Sequence, residues 1–172
     1  KLLEVTEASL FDAVEQARPG NRLGDISWAV QSRVEAAGMS VIRSLVGHGV
    51  GRDMHEDPQV PNYGTAGRGP LLEEGMVLAI EPMVTAGRHM VRMGDDGWAI
   101  YSQDGSLAAH FEFTVAITAD GPRILNPWHL PEGAEAPGPV LSGVSNSATP
   151  MINIDGSATQ SRPLRSIRCP AG

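Results

Sequence analysis

Two stripes of apolar side chains at the helical period open the chain. In the first, residues three and four positions apart share one face, which predicts a helix over residues 3–18. Its members are Leu10, Ala13, Val14 and Ala17. The following Pro19-Gly20-Asn21 favours a turn, so we expect the helix to end there.

The second stripe predicts a helix over residues 25–37. Its members are Ile26, Ala29, Val30, Val34 and Ala37. Asp25 is of a type preferred at the N-cap, and Gly38 can adopt the left-handed backbone that often follows a helix. Both stripes are typical of helix faces buried in a protein core.

After the second helix, the apolar positions favour strands. Residues 41–46 and 97–101 predict short strands, and the nearly continuous apolar run of residues 76–80 predicts a buried one. Residues 53–75 are polar and rich in proline and glycine. We therefore expect a long loop there, and loops of that length are often functional.

Residues 111–118 alternate at the period of a β-strand. Phe111, Phe113, Val115 and Ile117 occupy one face. His110 and Glu112 fall on the opposite face, with Glu112 expected in mid-strand. Glu81 precedes a proline, which disfavours helical geometry at the preceding residue, so we expect Glu81 at a strand end.

Composition narrows the class of protein. The 172 residues are enough for one domain with a core, and a net charge of −7 argues against a nucleic-acid partner. No apolar run approaches the ~20 residues that span a bilayer. A single cysteine, Cys169, suits a reducing cytoplasm. The chain begins at Lys1 without methionine, so we expect a processed product or a fragment.

The composition changes near Pro131. From there onward no aromatic residue occurs, and the stretch holds six of the thirteen prolines. Such a segment buries too little apolar surface to offset the entropy of ordering. We expect residues 1–127 to form the domain and residues 128–172 to be a disordered or unrelated tail.

Three short motifs place ionisable side chains in apolar or glycine-rich surroundings. His48 lies in Gly47-His48-Gly49-Val50-Gly51, Glu81 follows an apolar strand, and Glu112 lies between two phenylalanines. An unpaired carboxylate is costly to bury. One imidazole with two carboxylates is a familiar ligand set for Mn, Fe, Co or Zn.

Each of these residues also has a structural interpretation. His48 could be a satisfied core histidine, Glu81 could pair with Arg43, and Glu112 could face solvent. His55 could orient a substrate or lie on the surface, and the sequence leaves both open. His110 is a rival metal ligand because of its position two residues before Glu112.

The motifs resemble those of type I methionine aminopeptidases, metallopeptidases with the pita-bread fold. The resemblance covers residues 2–126 and rests on GHGVGRDMHEDPQVPNYG, EEGMVLAIEPMV and HFEFTVAIT. The 31-residue spacing from Glu81 to Glu112 is like that of type I enzymes. The resemblance implies an α+β fold, the C-terminal half of the pita-bread fold, with an antiparallel-rich sheet covered by two helices.

The resemblance also implies roles for individual residues. His48, Glu81 and Glu112 match three of the family's five metal ligands, and Glu112 matches the carboxylate that bridges two metals. Glu81 also matches the residue that accepts a proton from the attacking water. His55 matches a histidine that contacts the substrate peptide, and Trp98 matches an aromatic residue near the methionine pocket.

The implied reaction is metal-dependent removal of N-terminal methionine from nascent proteins when the second residue is small. It implies a cytoplasmic enzyme, monomeric when intact, that acts near the ribosome. The family's two aspartate ligands and a further histidine come from an N-terminal half that this chain does not match. We therefore expect at most one weakly bound ion and little or no activity from this chain alone.

Two other functions stay open from the sequence. One is a non-catalytic pita-bread module that binds peptides or proteins. The other is a proline-directed peptidase of the same superfamily. The three available ligand positions all hold ligating residues, which argues against the first, and the 47–64 motif argues against the second.

Overall fold

The computed structural model describes residues 1–130, which begin with two helices packed against each other. Helix α1 spans Leu2–Gln16 and helix α2 spans Leu23–Ala36. The predicted α1 stripe is confirmed, since all four of its members are buried. No helix in this part of the chain is long and apolar enough to cross a bilayer.

The predicted N-cap of α2 is wrong, because the helix begins two residues earlier. Asp25 occupies its third position, where the carboxylate accepts the backbone N–H of Arg22 at 2.7 Å. From the first turn, an acidic side chain can accept hydrogen bonds from backbone N–H groups that have no partner within the helix. The second oxygen of Asp25 accepts the N–H of Gly67, also at 2.7 Å. The predicted end is confirmed by Gly38, whose φ is +76°.

Ten short strands follow within the described residues, and all their pairings are antiparallel. A five-stranded sheet has the order β10-β9-β4-β2-β3, a three-stranded sheet the order β1-β5-β8, and β6 pairs with β7. The strands are β1 Ser40–Val41, β2 Gly47–Gly49, β3 Glu56–Val60, β4 Val77–Ile80, β5 Met83–Thr85, β6 Val91–Met93, β7 Ile100–Ser102, β8 Ala108–His110, β9 Phe113–Thr118 and β10 Gly121–Ile124.

Three predicted elements have different bounds in the structure. Residues 41–46 form a strand only at Val41, and the predicted 97–101 strand is displaced to Ile100–Ser102. The predicted 53–75 loop contains strand β3. This strand lies at the edge of its sheet and buries only Val60, so its sequence lacks the apolar alternation of a half-buried strand.

The apolar core lies between the helices and the five-stranded sheet. The α1 stripe and three members of the α2 stripe, Ile26, Val30 and Val34, form one cluster with inward-facing residues of β4 and β9. The other two predicted members, Ala29 and Ala37, are only partly buried. The residues of β4 and β9 in this cluster are Leu78, Ile80, Phe113, Val115 and Ile117. The buried strand predicted at residues 76–80 is thereby confirmed as the central β4.

The chain passes between the two sheets at two adjacent places, after β4 and before β9. Strand β4 ends at Ile80, and after Glu81 and Pro82 the chain continues as β5 in the three-stranded sheet. In the reverse direction, β8 ends at His110, and β9 begins only at Phe113. The prediction that Glu112 lies in mid-strand is therefore wrong, because it occupies the bend between two strands.

Residues just beyond β10 pack against this bend. Trp128 stacks on Phe113 with ring centroids 5.0 Å apart, and on Phe111 at 5.4 Å. Its indole N–H donates to the backbone carbonyl of Glu112 at 2.8 Å. Trp128 is the first residue of the segment expected to be a tail; residues 131–172 of that segment lie outside the described residues.

Candidate metal centre

The two glutamates meet because of the register of the central strands. Strands β4 and β9 are antiparallel, and Ile80 pairs with Phe113. One step beyond this pair, Glu81 follows Ile80 and Glu112 precedes Phe113. Residues 31 positions apart in sequence therefore face each other at one bend, and Glu81 is at a strand end as predicted.

The Glu81 carboxylate is held between two histidine rings. Its Oε1 lies 3.4 Å from Nε2 of His48, and its Oε2 lies 3.4 Å from Nε2 of His110. The Glu81 side chain is only 13% exposed. Its backbone carbonyl accepts a hydrogen bond from the Asn62 side-chain amide at 2.8 Å. The carboxylate is thus nearly buried, and the Asn62 hydrogen bond holds the backbone that carries it.

The alternative pairing of Glu81 with Arg43 is not what the structure shows. The Arg43 guanidinium lies over the ring of Tyr63, 5.0 Å from its centroid. The side-chain ion pairs of Glu81 within residues 1–130 are those with the two histidines. Glu81 therefore belongs to the histidine cluster.

His48 presents its Nε2 atom to the carboxylate in a defined orientation. It lies in β2 opposite Ala79 of β4, and its Nδ1 is 2.8 Å from the carbonyl oxygen of Gly49. A carbonyl can only accept, so Nδ1 carries a hydrogen. Nε2 faces the anionic Oε1 atom of Glu81. Such a pair is stable when a proton or a cation lies between the two atoms.

The glycines beside His48 permit a close approach of neighbouring strands. A Cβ atom on Gly47 would collide with the carbonyl oxygen of Ala79, and one on Gly49 would collide with that of Asp57. Glycine at both positions therefore allows the backbones of neighbouring strands to approach closely. We expect Gly47→Ala to lower the free energy of unfolding by about 1–3 kcal/mol, as urea denaturation would measure. A loss below 0.5 kcal/mol, roughly the scale of a neutral surface change, would contradict this packing.

His110 and Glu112 complete the cluster. Donor atoms of Glu81, His110 and Glu112 all lie within 4.8 Å of one another. Burial raises the pKa of the Glu112 carboxyl above its usual value, and the negative charge of Glu81 raises it further. The nearby imidazoles of His110, His48 and His55 oppose this rise in the pKa. Glu112 therefore gains from any positive charge placed between the carboxylates.

His55 and Trp98 differ in their relation to this cluster. The exposed His55 ring lies beside His48, with centroids 4.2 Å apart and planes tilted by 49°. Trp98 is 46% exposed in the turn between β6 and β7, where its backbone N–H donates to Asp96. No ring contact or hydrogen bond within residues 1–130 joins the Trp98 indole to the cluster.

The donor set and spacing fit a divalent cation. Imidazole nitrogen and carboxylate oxygen bind such metals at about 2.0–2.2 Å, so two donors subtending roughly 90–109° stand about 2.8–3.6 Å apart. Both Glu81–histidine distances are 3.4 Å. A cation would also fit between Nε2 of His48 and Oε1 of Glu81. His48, Glu81, His110 and Glu112 are therefore the residues able to hold it.

Relieving the repulsion between the two glutamates should stabilise the metal-free protein. We expect Glu112→Gln to raise the free energy of unfolding at pH 7 by about 1 kcal/mol, the scale of single stabilising substitutions. Because the folded pKa of Glu112 is raised, stability falls as pH rises from the unfolded value through the folded one. The gain should therefore disappear below the ordinary pKa of glutamate.

Urea denaturation of both proteins in EDTA, across a pH series, measures this gain. Glu74→Gln is the matched control, because Glu74 is exposed and outside the cluster. A variant that is less stable than wild type at pH 7 would show that Glu112 is stabilised as an anion without metal, contrary to the burial argument.

An antiparallel α+β fold that gathers imidazoles and carboxylates at a strand bend forms a candidate site for a divalent metal. Residues 1–119 match the model of metallopeptidase family M24. The chain therefore belongs to metallopeptidase family M24, and its site is one for a divalent metal.

Two curated proteins that are similar in sequence to this chain are named methionine aminopeptidases. The chain is 58% identical over 125 residues to the methionine aminopeptidase of Clostridium acetobutylicum, and 55% identical to methionine aminopeptidase 1 of Bacillus subtilis. Each alignment covers 73% of this chain and 50% of the relative. The resemblance to methionine aminopeptidases is thus confirmed, and the chain spans about half the length of the curated relatives it matches.

Solved structures support the same fold. The methionine aminopeptidase of Thermotoga maritima has a TM-score of 0.71 at 53% identity, covering 72% of this chain and 50% of that one. The prolidase of Pyrococcus horikoshii has a TM-score of 0.54 at 26% identity, covering 72% of this chain and 30% of that one. The expected α+β, pita-bread type of fold, in part only, is confirmed.

Proposed function

We propose that this chain is the C-terminal portion of a methionine aminopeptidase, which removes N-terminal methionine from proteins whose second residue is small. The observation that carries the proposal is the convergence of His48, Glu81 and Glu112 at one bend. The same three residues were expected as ligands from the resemblance. The high identity to proteins named methionine aminopeptidases supports the same reaction.

The proposed roles follow from where the side chains lie. A bound divalent cation would polarise the scissile carbonyl and make water more acidic. Glu81, nearly buried and fixed by Asn62, would accept the proton of the attacking water. His55 lies at the exposed rim next to His48, where it would contact the substrate peptide. Trp98 would lie near the methionine side chain as the resemblance implies.

The metal is proposed only as a class. A mixed imidazole and carboxylate set suits Co, Mn, Fe or Zn, and affinity alone does not select among them. The family resemblance implies two ions in the intact site. The described residues offer two imidazoles and two carboxylates at the bend, which is enough for one four-coordinate ion. We propose at most one weakly bound ion in this chain alone, with little or no activity.

The proposed substrate and setting follow from the same reaction. The partner would be the N-terminal peptide of a nascent protein near the ribosome, met in the cytoplasm by a monomeric enzyme. The net charge of −7 argues against binding to nucleic acid itself. The alternative of a proline-directed peptidase is less favoured, since similarity is lower to the prolidase than to the aminopeptidase structure.

A chimera tests the reaction. Residues 1–125 of this chain replace the aligned half of the Bacillus subtilis relative, and the purified protein is assayed with Met-Ala-Ser and with dipeptides ending in proline. We expect metal-dependent release of methionine and no cleavage of the proline dipeptides. The same chimera with Glu81→Gln is the control for background activity.

The other outcomes separate the alternatives. A folded chimera that binds metal and peptide but releases no methionine would favour the non-catalytic binding module. Cleavage of the proline dipeptides would instead favour the proline-directed peptidase. The 172-residue chain assayed alone should release little or no methionine, and robust release would contradict the expectation of inactivity.

A further inference from the structure

His110 lies beside Glu81 and Glu112, and the family resemblance assigns it no role. It is the last residue of β8 and pairs with Met83 of β5 in the three-stranded sheet. Glu81 lies between β4 and β5, so His110 reaches it from the opposite strand. His48 reaches the same carboxylate from β2, in the other sheet.

The two histidines use different oxygens of Glu81. His48 Nε2 lies near Oε1, whereas His110 Nε2 lies near Oε2, each at 3.4 Å. This separation is longer than an ordinary charge-assisted hydrogen bond of about 2.7–2.9 Å. It falls within the spacing of two donor atoms around a tetrahedral metal, about 3.3–3.6 Å. The distance therefore suits two ligands of one cation better than a direct ion pair.

The ring of His110 is free to act as a ligand. Its side chain is 44% exposed, and its Nε2 atom forms an ion pair with Glu81, while the ring also lies near Glu112. Within residues 1–130 no hydrogen bond to Nδ1 fixes the tautomer, so Nε2 can offer its lone pair. Donor atoms of Glu81, His110 and Glu112 already lie within 4.8 Å of one another, which small side-chain rotations can close.

We propose that His110 is itself a metal ligand, and that Glu81, His110 and Glu112 together hold one divalent transition-metal ion or zinc. All three residues come from this chain, so the site needs no ligand from elsewhere. The ion would lie between the two carboxylates and offset their mutual repulsion. This proposal deepens the proposed function and rests on its metal centre, but not on its substrate or reaction.

Binding of Co²⁺ to the full 172-residue chain tests the proposal. The metal-free protein is titrated with CoCl₂ by calorimetry, and X-ray absorption counts the imidazoles bound to cobalt. We expect His110→Ala to weaken Co²⁺ binding by at least about 30-fold, within the range by which even outer-shell changes weaken metal sites. We also expect the variant to lose one coordinated imidazole.

Three variants serve as controls. His89→Ala removes an exposed histidine outside the cluster and should leave affinity unchanged. His110→Gln keeps much of the side-chain volume, so a similar loss in both His110 variants excludes a packing effect. Thermal melts of each protein in EDTA show whether it is folded. His48→Ala removes a ligand implied by the resemblance and reports on the metal centre as a whole.

Each outcome decides the proposal. Unchanged affinity and imidazole count in His110→Ala overturn it, and if His48→Ala then abolishes binding, the metal centre of the proposed function still stands. Weaker binding with an unchanged imidazole count overturns the ligand assignment and makes His110 a residue that positions Glu81. If the wild-type chain binds no Co²⁺ at all, the three-ligand site is wrong, whereas metal-dependent activity of the chimera would still support the proposed function.

Discussion

Glu81→Gln should weaken Co²⁺ binding by at least about 100-fold, the upper end of what loss of a supporting group costs a metal site. Glu81 is the residue on which the cluster converges, since both of its oxygens face imidazole nitrogens. Glutamine keeps the shape of the side chain but removes its charge and one acceptor oxygen. The fold should therefore survive while the site loses its central anion.

Two measurements check this prediction. Calorimetric titration with CoCl₂ gives the affinity of wild type, Glu81→Gln and the exposed control Glu74→Gln. In the chimera, the rate of methionine release should fall by about 10²–10⁴-fold, the usual contribution of a general base. If Glu81→Gln retained Co²⁺ affinity within threefold of wild type, Glu81 would not be a ligand.

Phe113→Ala should produce the largest loss of stability, about 3–5 kcal/mol, as for other fully buried aromatic residues. The Phe113 side chain is 0% exposed at the start of β9. Its ring packs edge-on against Phe11 at 5.5 Å and stacks on Trp128 at 5.0 Å. Truncation would leave a cavity bounded by a helix, the central strand and the segment after β10.

Urea denaturation of the metal-free protein measures this loss. Phe11→Ala is the matched control, because the same ring is removed from a position that is 37% exposed, and it should cost less than half as much. Phe113 directly follows Glu112, so the truncation should also weaken Co²⁺ binding. A loss of stability below about 1.5 kcal/mol would fall under the range for such sites. It would show that Phe113 does not join the helix and the segment after β10 in one core.

The sequence predicted those elements that local patterns define. Three of them depend only on neighbours a few residues away, and all three are confirmed. They are the stripe ending at Ala17, the end of a helix at Gly38 and the buried run before Glu81. The position of Glu81 at a strand end followed from the proline after it, which is also a local signal. The ligand roles of His48, Glu81 and Glu112 came from the family resemblance and stay a prediction.

What the sequence missed depends on pairing between distant segments. The alternation of residues 111–118 continues through the bend at Glu112, because Phe111 and Phe113 both contact Trp128 on one side. A period of two cannot show where a strand changes sheets. Strand β3 was likewise hidden, since an edge strand need not alternate. Trp128 lay in a segment whose composition indicated a tail.

The most direct test of the metal centre is anomalous diffraction from crystals of the full chain grown with MnCl₂ or CoCl₂. The structure predicts a metal peak at the bend, about 2.0–2.3 Å from a carboxylate oxygen of Glu81 and from donor atoms of at least two of His48, His110 and Glu112. An ordered cluster with no peak there, or a peak bound only at other residues, would contradict a metal centre built on Glu81.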